Sequence, residues 1–305
     1  MRAVPDVSIV VVSYNGRTVL ARCLEAIRAA SAGLVSETIV VDNASRDGSA
    51  ELVAARFPEM RSIANRDNVG FGRANNQAFV VARGRYLLLL NPDTEAEPDA
   101  IRALVRFAHA NPRAGVVGGR LAYPDGRHQH SAFRFPDWQQ ALLGFFDNVV
   151  PLDSRPNGRY APARYERPFV AEHLLGACLL IRREALDQVG AFDPRYFMYF
   201  EETDLCARMR KAGWLNLYTP DARVRHISAG TTTAVKEQMS VQFHRSQAIF
   251  YRDHRGLAGY ATLKAIVWVG IGYRLARSVR AYARGRIGAA LLRERLVGYW
   301  RILWF

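Results

Sequence analysis

Cysteine is scarce and scattered: Cys23, Cys178 and Cys206 are the only three in 305 residues, and no C-x-x-C occurs. An odd number at wide spacing supports neither a disulfide framework nor a cysteine zinc site, and it fits a reducing compartment. Also missing are G-x-G-x-x-G and G-x-x-x-x-G-K-[ST], which removes the main support for a Rossmann dinucleotide site and for a P-loop NTPase. The chain has no internal repeat and no low-complexity segment. Met1 to Asp6 carries one Arg, a Pro and an Asp before a short apolar run. It lacks the basic and long apolar regions of a secretory signal, so a cytosolic N-terminus is expected. With half its residues apolar, the chain is neither disordered nor collagen-like. Its length allows about two domains, or one large α/β domain with an appendage.

Charge is unevenly spread. Of the net +14, +9 lies between Arg252 and Phe305, where eleven basic residues face two acids. The body is mildly basic and the tail strongly so, and a concentrated excess of this kind points to an anionic partner.

The continuous β-branched run Val7-Ser-Ile-Val-Val-Val12 reads as a strand buried on both faces, as in a parallel sheet covered by helices. Thr38–Asp42 and Tyr86–Leu90 have the same character, with Met60–Ala64 a weaker run between them. Helical patterns over Thr18–Ala30, Gly48–Arg56 and Gly70–Ala82 separate these runs, so the first hundred residues predict βαβ units and a doubly wound α/β fold. Beyond Pro98 the pattern gives a helix to His109, a Gly-rich strand over Val116–Gly119, and an irregular aromatic stretch from Tyr123 to Phe169. That stretch reads either as an acceptor-binding surface or lid, or as a merely variable connection. Regular structure resumes over His173–Ile181, followed by a helix from Glu201 to Lys211 that Gly213 ends and an edge strand after which His226 sits.

Strands of an open parallel sheet deliver functional residues at their carboxyl ends. Three polar clusters are predicted there: Ser13-Tyr14-Asn15-Gly16, Asp42-Asn43-Ala44-Ser45 and Asn91-Pro92-Asp93. Any one alone reads equally well as a turn; three on one edge outline a site. A strand-end carboxylate such as Asp42 suits a base N–H or a ribose hydroxyl. Asp93 beside a diphosphate requires a divalent cation between them, so the pattern suggests a metal–diphosphate site.

These segments resemble the family 2 glycosyltransferases of GT-A fold, especially their rhamnosyltransferase-like members. The resemblance rests on Val7–Gly16, Val41-Asp-Asn-Ala-Ser-Arg-Asp-Gly-Ser49, Asn65–Asn76, Leu90-Asn-Pro-Asp-Thr94, Leu175-Gly-Ala-Cys178, Gly190-Ala-Phe-Asp-Pro194 and Phe200-Glu-Glu-Thr-Asp-Leu-Cys-Ala-Arg208, all in the family's order. It covers about residues 6 to 250 and implies a mostly parallel sheet flanked by helices. It places Ser13, Tyr14 and Asn15 at the nucleotide pocket, Asp42 and Asn43 at a pyrimidine, and Asn68, Gly70 and Asn75 along base and diphosphate. The family's D-x-D is here Asn91-Pro92-Asp93, so Asp93 is the implied ligand of Mg2+ or Mn2+, with Asn91 in place of the first carboxylate. The cluster Glu201, Glu202 and Asp204 matches the family's acidic segment, whose second position implies Glu202 as general base. A second reading of this cluster is helix capping, with Asp204 paired to Arg208. His226 matches a position where related enzymes hold metal or diphosphate, and a purely structural histidine stays open beside that. Ser228–Thr233, with Gly230, has the composition of a phosphate-side loop.

The resemblance leads to a division at residue 250: a GT-A catalytic domain over 1–250 and a basic amphipathic helical tail over 251–305. Gly256 to Tyr273 carries a single charge, Lys264, and falls short of a clear membrane span; arginines and a Leu/Trp-rich end follow. Such a tail suits an anionic membrane surface, and an ordinary packed helix is the alternative. Nucleic acid lacks any accompanying motif and is not expected. The expectation is an inverting, metal-dependent enzyme at the cytoplasmic face of the cell membrane, held peripherally. It would move L-rhamnose from a dTDP donor, or a sugar from UDP, onto a lipid-linked glycan acceptor. A non-catalytic nucleotide-sugar-binding scaffold and a pyrimidine-nucleotide transferase of another kind are the competing readings.

Overall fold

The computed structural model describes residues 4–146, 151, 154–227 and 236–304; the expected Ser228–Thr233 loop lies outside them. The strands are β1 (Val7–Ser13), β2 (Ser36–Asp42), β3 (Arg61–Ala64), β4 (Tyr86–Leu90), β5 (Thr94–Ala96), β6 (Ala114–Ala122), β7 (His128–Gln129), β8 (Ala132–Phe133), β9 (Phe169–Ala171), β10 (His173–Leu174), β11 (Cys178–Arg182) and β12 (Leu215–His226). The helices are α1 (Arg17–Ala30), α2 (Ser49–Arg56), α3 (Phe71–Val81), α4 (Ala100–Ala110), α5 (Trp138–Leu143), α6 (Arg183–Val189), α7 (Glu201–Lys211), α8 (Lys236–Ala283) and α9 (Ala289–Leu303).

Every residue of β1 is buried, because side chains alternating along the strand enter two cores. Val7, Ile9 and Val11 pack with Leu20, Leu24 and Ile27 of α1 and Leu104 of α4. Val10 and Val12 face Ala74, Ala78 and Phe79 of α3. The main sheet runs β3-β2-β1-β4-β11-β6-β12-β5. Its first four strands are parallel, β12 is parallel to β6, and β11 is antiparallel to both its neighbours. The sequence pattern predicts β12 as an edge strand; it is interior along the part that reaches His226, between β6 and the three-residue β5. The short β5 escapes notice in the sequence because three residues are too few to show a period.

One buried charge ties the two halves of the sheet together. Arg182, at the end of β11, donates from Nε to the Ala114 carbonyl (2.8 Å) and from Nη2 to the carbonyls of Ala108 (2.6 Å) and Asn111 (3.1 Å). It also lies over the Tyr86 ring. The carbonyls of Ala108 and Asn111 close the C-terminus of α4, where a cation is favoured.

A third core joins α5, α8 and α9 to the body: Phe145, Tyr196, Phe200, Phe250, Leu263, Val267, Ile271 and Ile302 are buried together. Packing therefore crosses the expected boundary at residue 250, and the break in α8 falls at Gly256, whose φ of 67° leaves the helical region. Among the described residues no helix is long and apolar enough to cross a membrane.

Arg182→Leu removes the three hydrogen bonds that a buried guanidinium donates, while the Ala108 and Asn111 carbonyls keep their backbone donors Asn111 N–H (3.3 Å) and Ala114 N–H (2.9 Å); the substitution is expected to cost about 2 kcal/mol. Urea unfolding reads this as a lowered midpoint at unchanged slope.

Candidate active site

The carboxyl ends of β1, β2 and β4, the turn before β11, the end of β12 and the N-terminus of α7 converge on one cleft of about 350 Å3. Its wall includes Tyr14, Asn43, Asn68, Asn91, Asp93, Glu201, Glu202 and His226. These eight came from six separate stretches of the sequence, and the sheet brings them together.

Asn43 organises one side of the cleft. Its Nδ2 donates to Asn68 Oδ1 (2.8 Å) and to the Gly70 carbonyl (3.4 Å), while its Oδ1 accepts from Asn65 Nδ2 (3.0 Å) and from the Val69 N–H (3.1 Å). One amide thus uses both ends to bind the loop after β3 to the end of β2. Gly70, expected to border the donor, instead brings this loop against the turn before α7: Phe71 N–H donates to the Phe197 carbonyl (2.8 Å). Gly70 has a φ of +88°, and a Cβ there would strike that same carbonyl.

Asp93 and His226 meet because β5 pairs with the end of β12, with Thr94 opposite His226. Asp93 Oδ1 lies 3.3 Å from His226 Nε2, and His226 Nδ1 lies 3.1 Å from Gln129 Oε1. Gln129 thus holds the ring from its Nδ1 side and leaves Nε2 turned to the Asp93 carboxylate. That arrangement calls for a cation between them, a proton or a metal ion. Among the described residues no three His, Cys, Asp or Glu groups converge as a metal cage. The donor set fits a divalent ion that takes its remaining ligands from a bound diphosphate and water, as Mg2+ commonly does.

Glu201 and Glu202 open α7, Glu201 buried and Glu202 half-buried on the cleft wall; Oε2 of each is out of contact with solvent and lacks a hydrogen-bond partner within the protein. Desolvation raises both above the ordinary carboxylate range, and the charge of Glu202 raises Glu201 further. The N–H groups of Gly176 and Thr203 partly offset this at Glu202. Two desolvated acids side by side do not both ionise easily, so one of them holds its proton well above the ordinary range.

The turn that aims this pair is strained. Tyr199 and Phe200 both have φ of 69°, a left-handed conformation that costs a bulky residue about 1–3 kcal/mol. Helix α8 braces it. Phe243 packs against both rings at 5.8 and 5.3 Å, Phe250 lies 5.6 Å from Phe200, and Ser246 Oγ donates to the Met198 carbonyl (2.8 Å).

Residues 8–190 match the family described as "Glycosyl transferase family 2". An N-acetylglucosaminyl-diphospho-decaprenol L-rhamnosyltransferase of Mycobacterium tuberculosis is 35% identical over 265 residues, 81% of this chain and 85% of the relative. The chain belongs to glycosyltransferase family 2. Two solved structures share the fold. A mannosyltransferase from Pyrobaculum calidifontis with GDP-Man and Mn2+ superposes with a TM-score of 0.60 at 18% identity, over 100% of this chain and 88% of the other. GalNAc-T7 with UDP, GalNAc and Mn2+ gives 0.56 at 17%, over 85% of this chain, which spans about half (52%) of that structure.

Several expected site residues of this glycosyltransferase lie off the cleft wall. Asp204, expected among the catalytic acids, is bound by Arg208 Nε (2.8 Å) and His254 Nε2 (2.7 Å) and links α7 to α8. Asn15 accepts from Arg46 N–H (2.8 Å) and Asp42 Oδ2 from Ser45 N–H (3.0 Å), so both shape their loops. Asn75 Nδ2 donates to the Phe71 carbonyl within α3. Ser13 is fully buried at the end of β1; its Oγ and Asp42 Oδ1 have no protein partner. Conversely, Phe71, Leu175, Gly176, Ala177, Met198 and Tyr199 line the cleft although no role was expected for them. Leu175–Ala177 belonged to a recognised motif, whereas no local signal marks the strained Tyr199.

A carboxyl group with a raised folded-state pKa is bound more tightly by its proton in the native state. Stability then falls as pH rises above the unfolded value of about 4.5 toward the raised one. Glu201→Gln removes that loss, so its melting temperature is expected to exceed that of the parent at pH 8 and to approach it at pH 4.5.

Proposed function

We propose that the enzyme transfers L-rhamnose from dTDP-rhamnose, with inversion, to an N-acetylglucosaminyl diphospho-polyprenol acceptor. Carrying this reading is the 35% identity with the mycobacterial L-rhamnosyltransferase across 81% of the chain. A cleft that sets Asp93 and His226 beside the Glu201–Glu202 pair supports it. In the reaction the acceptor oxygen bonds to the anomeric carbon, the bond from that carbon to the diphosphate breaks, and nucleoside diphosphate leaves. Glu202 takes the acceptor hydroxyl proton; desolvation raises its pKa and makes it a stronger base than an exposed carboxylate. Glu201 keeps the local proton inventory at the pair. Asn43 and Asn68 hold the loops around the nucleotide, and Tyr14 offers a ring at the mouth. Asp93, His226 and the Asn91 amide would hold a Mg2+ or Mn2+ ion, which when bound supplies positive charge to the leaving diphosphate.

The test is nucleoside diphosphate release from dTDP-, UDP- and GDP-sugars, with a short-chain polyprenyl diphosphate–GlcNAc acceptor, with and without Mg2+ or Mn2+. Release from dTDP-rhamnose alone is the expected result; release from another donor overturns the donor assignment. Glu202→Gln is expected to lower kcat by about 10²–10⁴ with donor affinity nearly unchanged, whereas Asp93→Asn weakens metal-supported donor binding. Equal loss of donor binding in both variants would contradict the assigned roles.

Gln129 fixes the His226 ring, so Gln129→Ala is expected to weaken Mn2+ affinity by about 10–100-fold. Mn2+ titration in the presence of dTDP measures this.

A further inference from the structure

Beyond Gly256 the helix α8 carries three lengthwise stripes of different chemistry. Leu263, Val267, Gly270, Ile271 and Ser278 form the buried stripe. It packs on the body, with Gly270 so close to the Phe145 ring that a Cβ would strike it. Tyr273, Arg277, Arg280 and Arg284, three or four residues apart, form a second, largely basic stripe, with the Arg277 guanidinium 5.6 Å from the Tyr273 ring centre.

Leu257, Ala261, Ala265, Trp268, Gly272, Leu275, Val279 and Ala283 form the third. Each is separated from the next by three or four residues, so all share one face along about 40 Å of helix. All are exposed, Leu257 by 78% and Trp268 by 60%. None has a charged side chain. An exposed helix face in a water-bathed protein carries its charges outward; here the charges sit to the side and the outward face is apolar.

Helix α9 returns antiparallel along α8, tied by Lys264 Nζ to the Leu303 carbonyl (2.9 Å) and by Ser278 Oγ with Tyr299 Oη (3.2 Å). It adds Trp300 and Trp304, exposed by 62% and 72%, with ring centres 5.3 Å apart.

We propose that this face of α8, with Trp300 and Trp304 of α9, lies in the plane of an anionic lipid bilayer, apolar stripe in the acyl boundary and arginines at the headgroups. The arginine row decides the occupant. A second copy of the chain would bring two tails of net +9 together, a like-charge contact, whereas anionic headgroups complement it. The apolar stripe supplies the burial that charge alone does not, and exposed tryptophans suit the interface. No described helix is apolar enough to cross, so the hairpin lies flat.

The placement also orients the enzyme. The part of α8 before Gly256 braces Tyr199 and Phe200, so the lipid-facing part follows directly, across the break at Gly256, on the part that supports the acid pair. This proposal stands independently of the donor and acceptor assigned above.

Flotation of the full chain with phosphatidylcholine vesicles, with and without phosphatidylglycerol, tests it. The parent protein is expected to float with the anionic vesicles and to stay behind with neutral ones. Trp268→Glu combined with Leu275→Glu and Val279→Glu places charges on the exposed stripe, and the triple variant is expected to lose flotation while melting at the parent temperature. Arg277→Gln, Arg280→Gln and Arg284→Gln together are expected to weaken binding by about two orders of magnitude. Quenching by lipids brominated in the acyl chain is expected to dim the parent tryptophans. The proposal is overturned if the parent fails to float, if the glutamate variant floats like the parent, or if the parent is a dimer that the glutamate substitutions dissociate.

Discussion

Two adjacent, desolvated carboxylates are the constraint on which the rest of this structure depends. Glu201 is buried and Glu202 half-buried beside it, where mutual repulsion and desolvation both oppose their charge. Their place in the first turn of α7 recovers part of that cost, because the N–H groups there favour negative charge. The remainder is met by the surroundings. Tyr199 and Phe200 accept a left-handed backbone to aim the pair, and α8 holds them there with Phe243, Ser246 and Phe250. An exposed acid pair would need none of this, and would be a weaker base.

The other polar residues divide into those that face the cleft and those that hold it in shape. Asn43 does both, lining the wall while its amide joins two loops. Asp204 belongs wholly to the second group: Arg208 and His254 occupy its two oxygens, and Arg208 also donates to the carbonyls of Val189, Gly190 and Ala191. An acid that anchors three elements and one that takes a proton look alike in a sequence, since both are needed in the same turn.

The C-terminal region shows why a chain cannot always be divided by composition. Its charge and aromatic content mark it off sharply from the body, yet Phe250, Leu263, Val267 and Ile302 share a core with Tyr196 and Phe200. The compositional shift near residue 250 is a property of the exposed surface. It does not mark where packing ends, and the backbone break comes later, at Gly256.

The sequence by itself determined the alternation of strands and helices over the first hundred residues, because buried parallel strands must be continuously apolar and their helices amphipathic. It also determined that Ser13–Gly16, Asp42–Ser45 and Asn91–Asp93 share one edge, since parallel strands end on the same side. Which of those residues face the cleft was decided only by the tertiary structure. That depends on hydrogen bonds between loops distant in sequence, such as Asn43 with Asn65 and Asn68, and on the pairing of β5 with β12 that sets Asp93 beside His226. The strain at Tyr199 and Phe200 was hidden for the same reason: left-handed backbone at aromatic residues has no local cause, and only contacts from α8, more than forty residues onward, hold it.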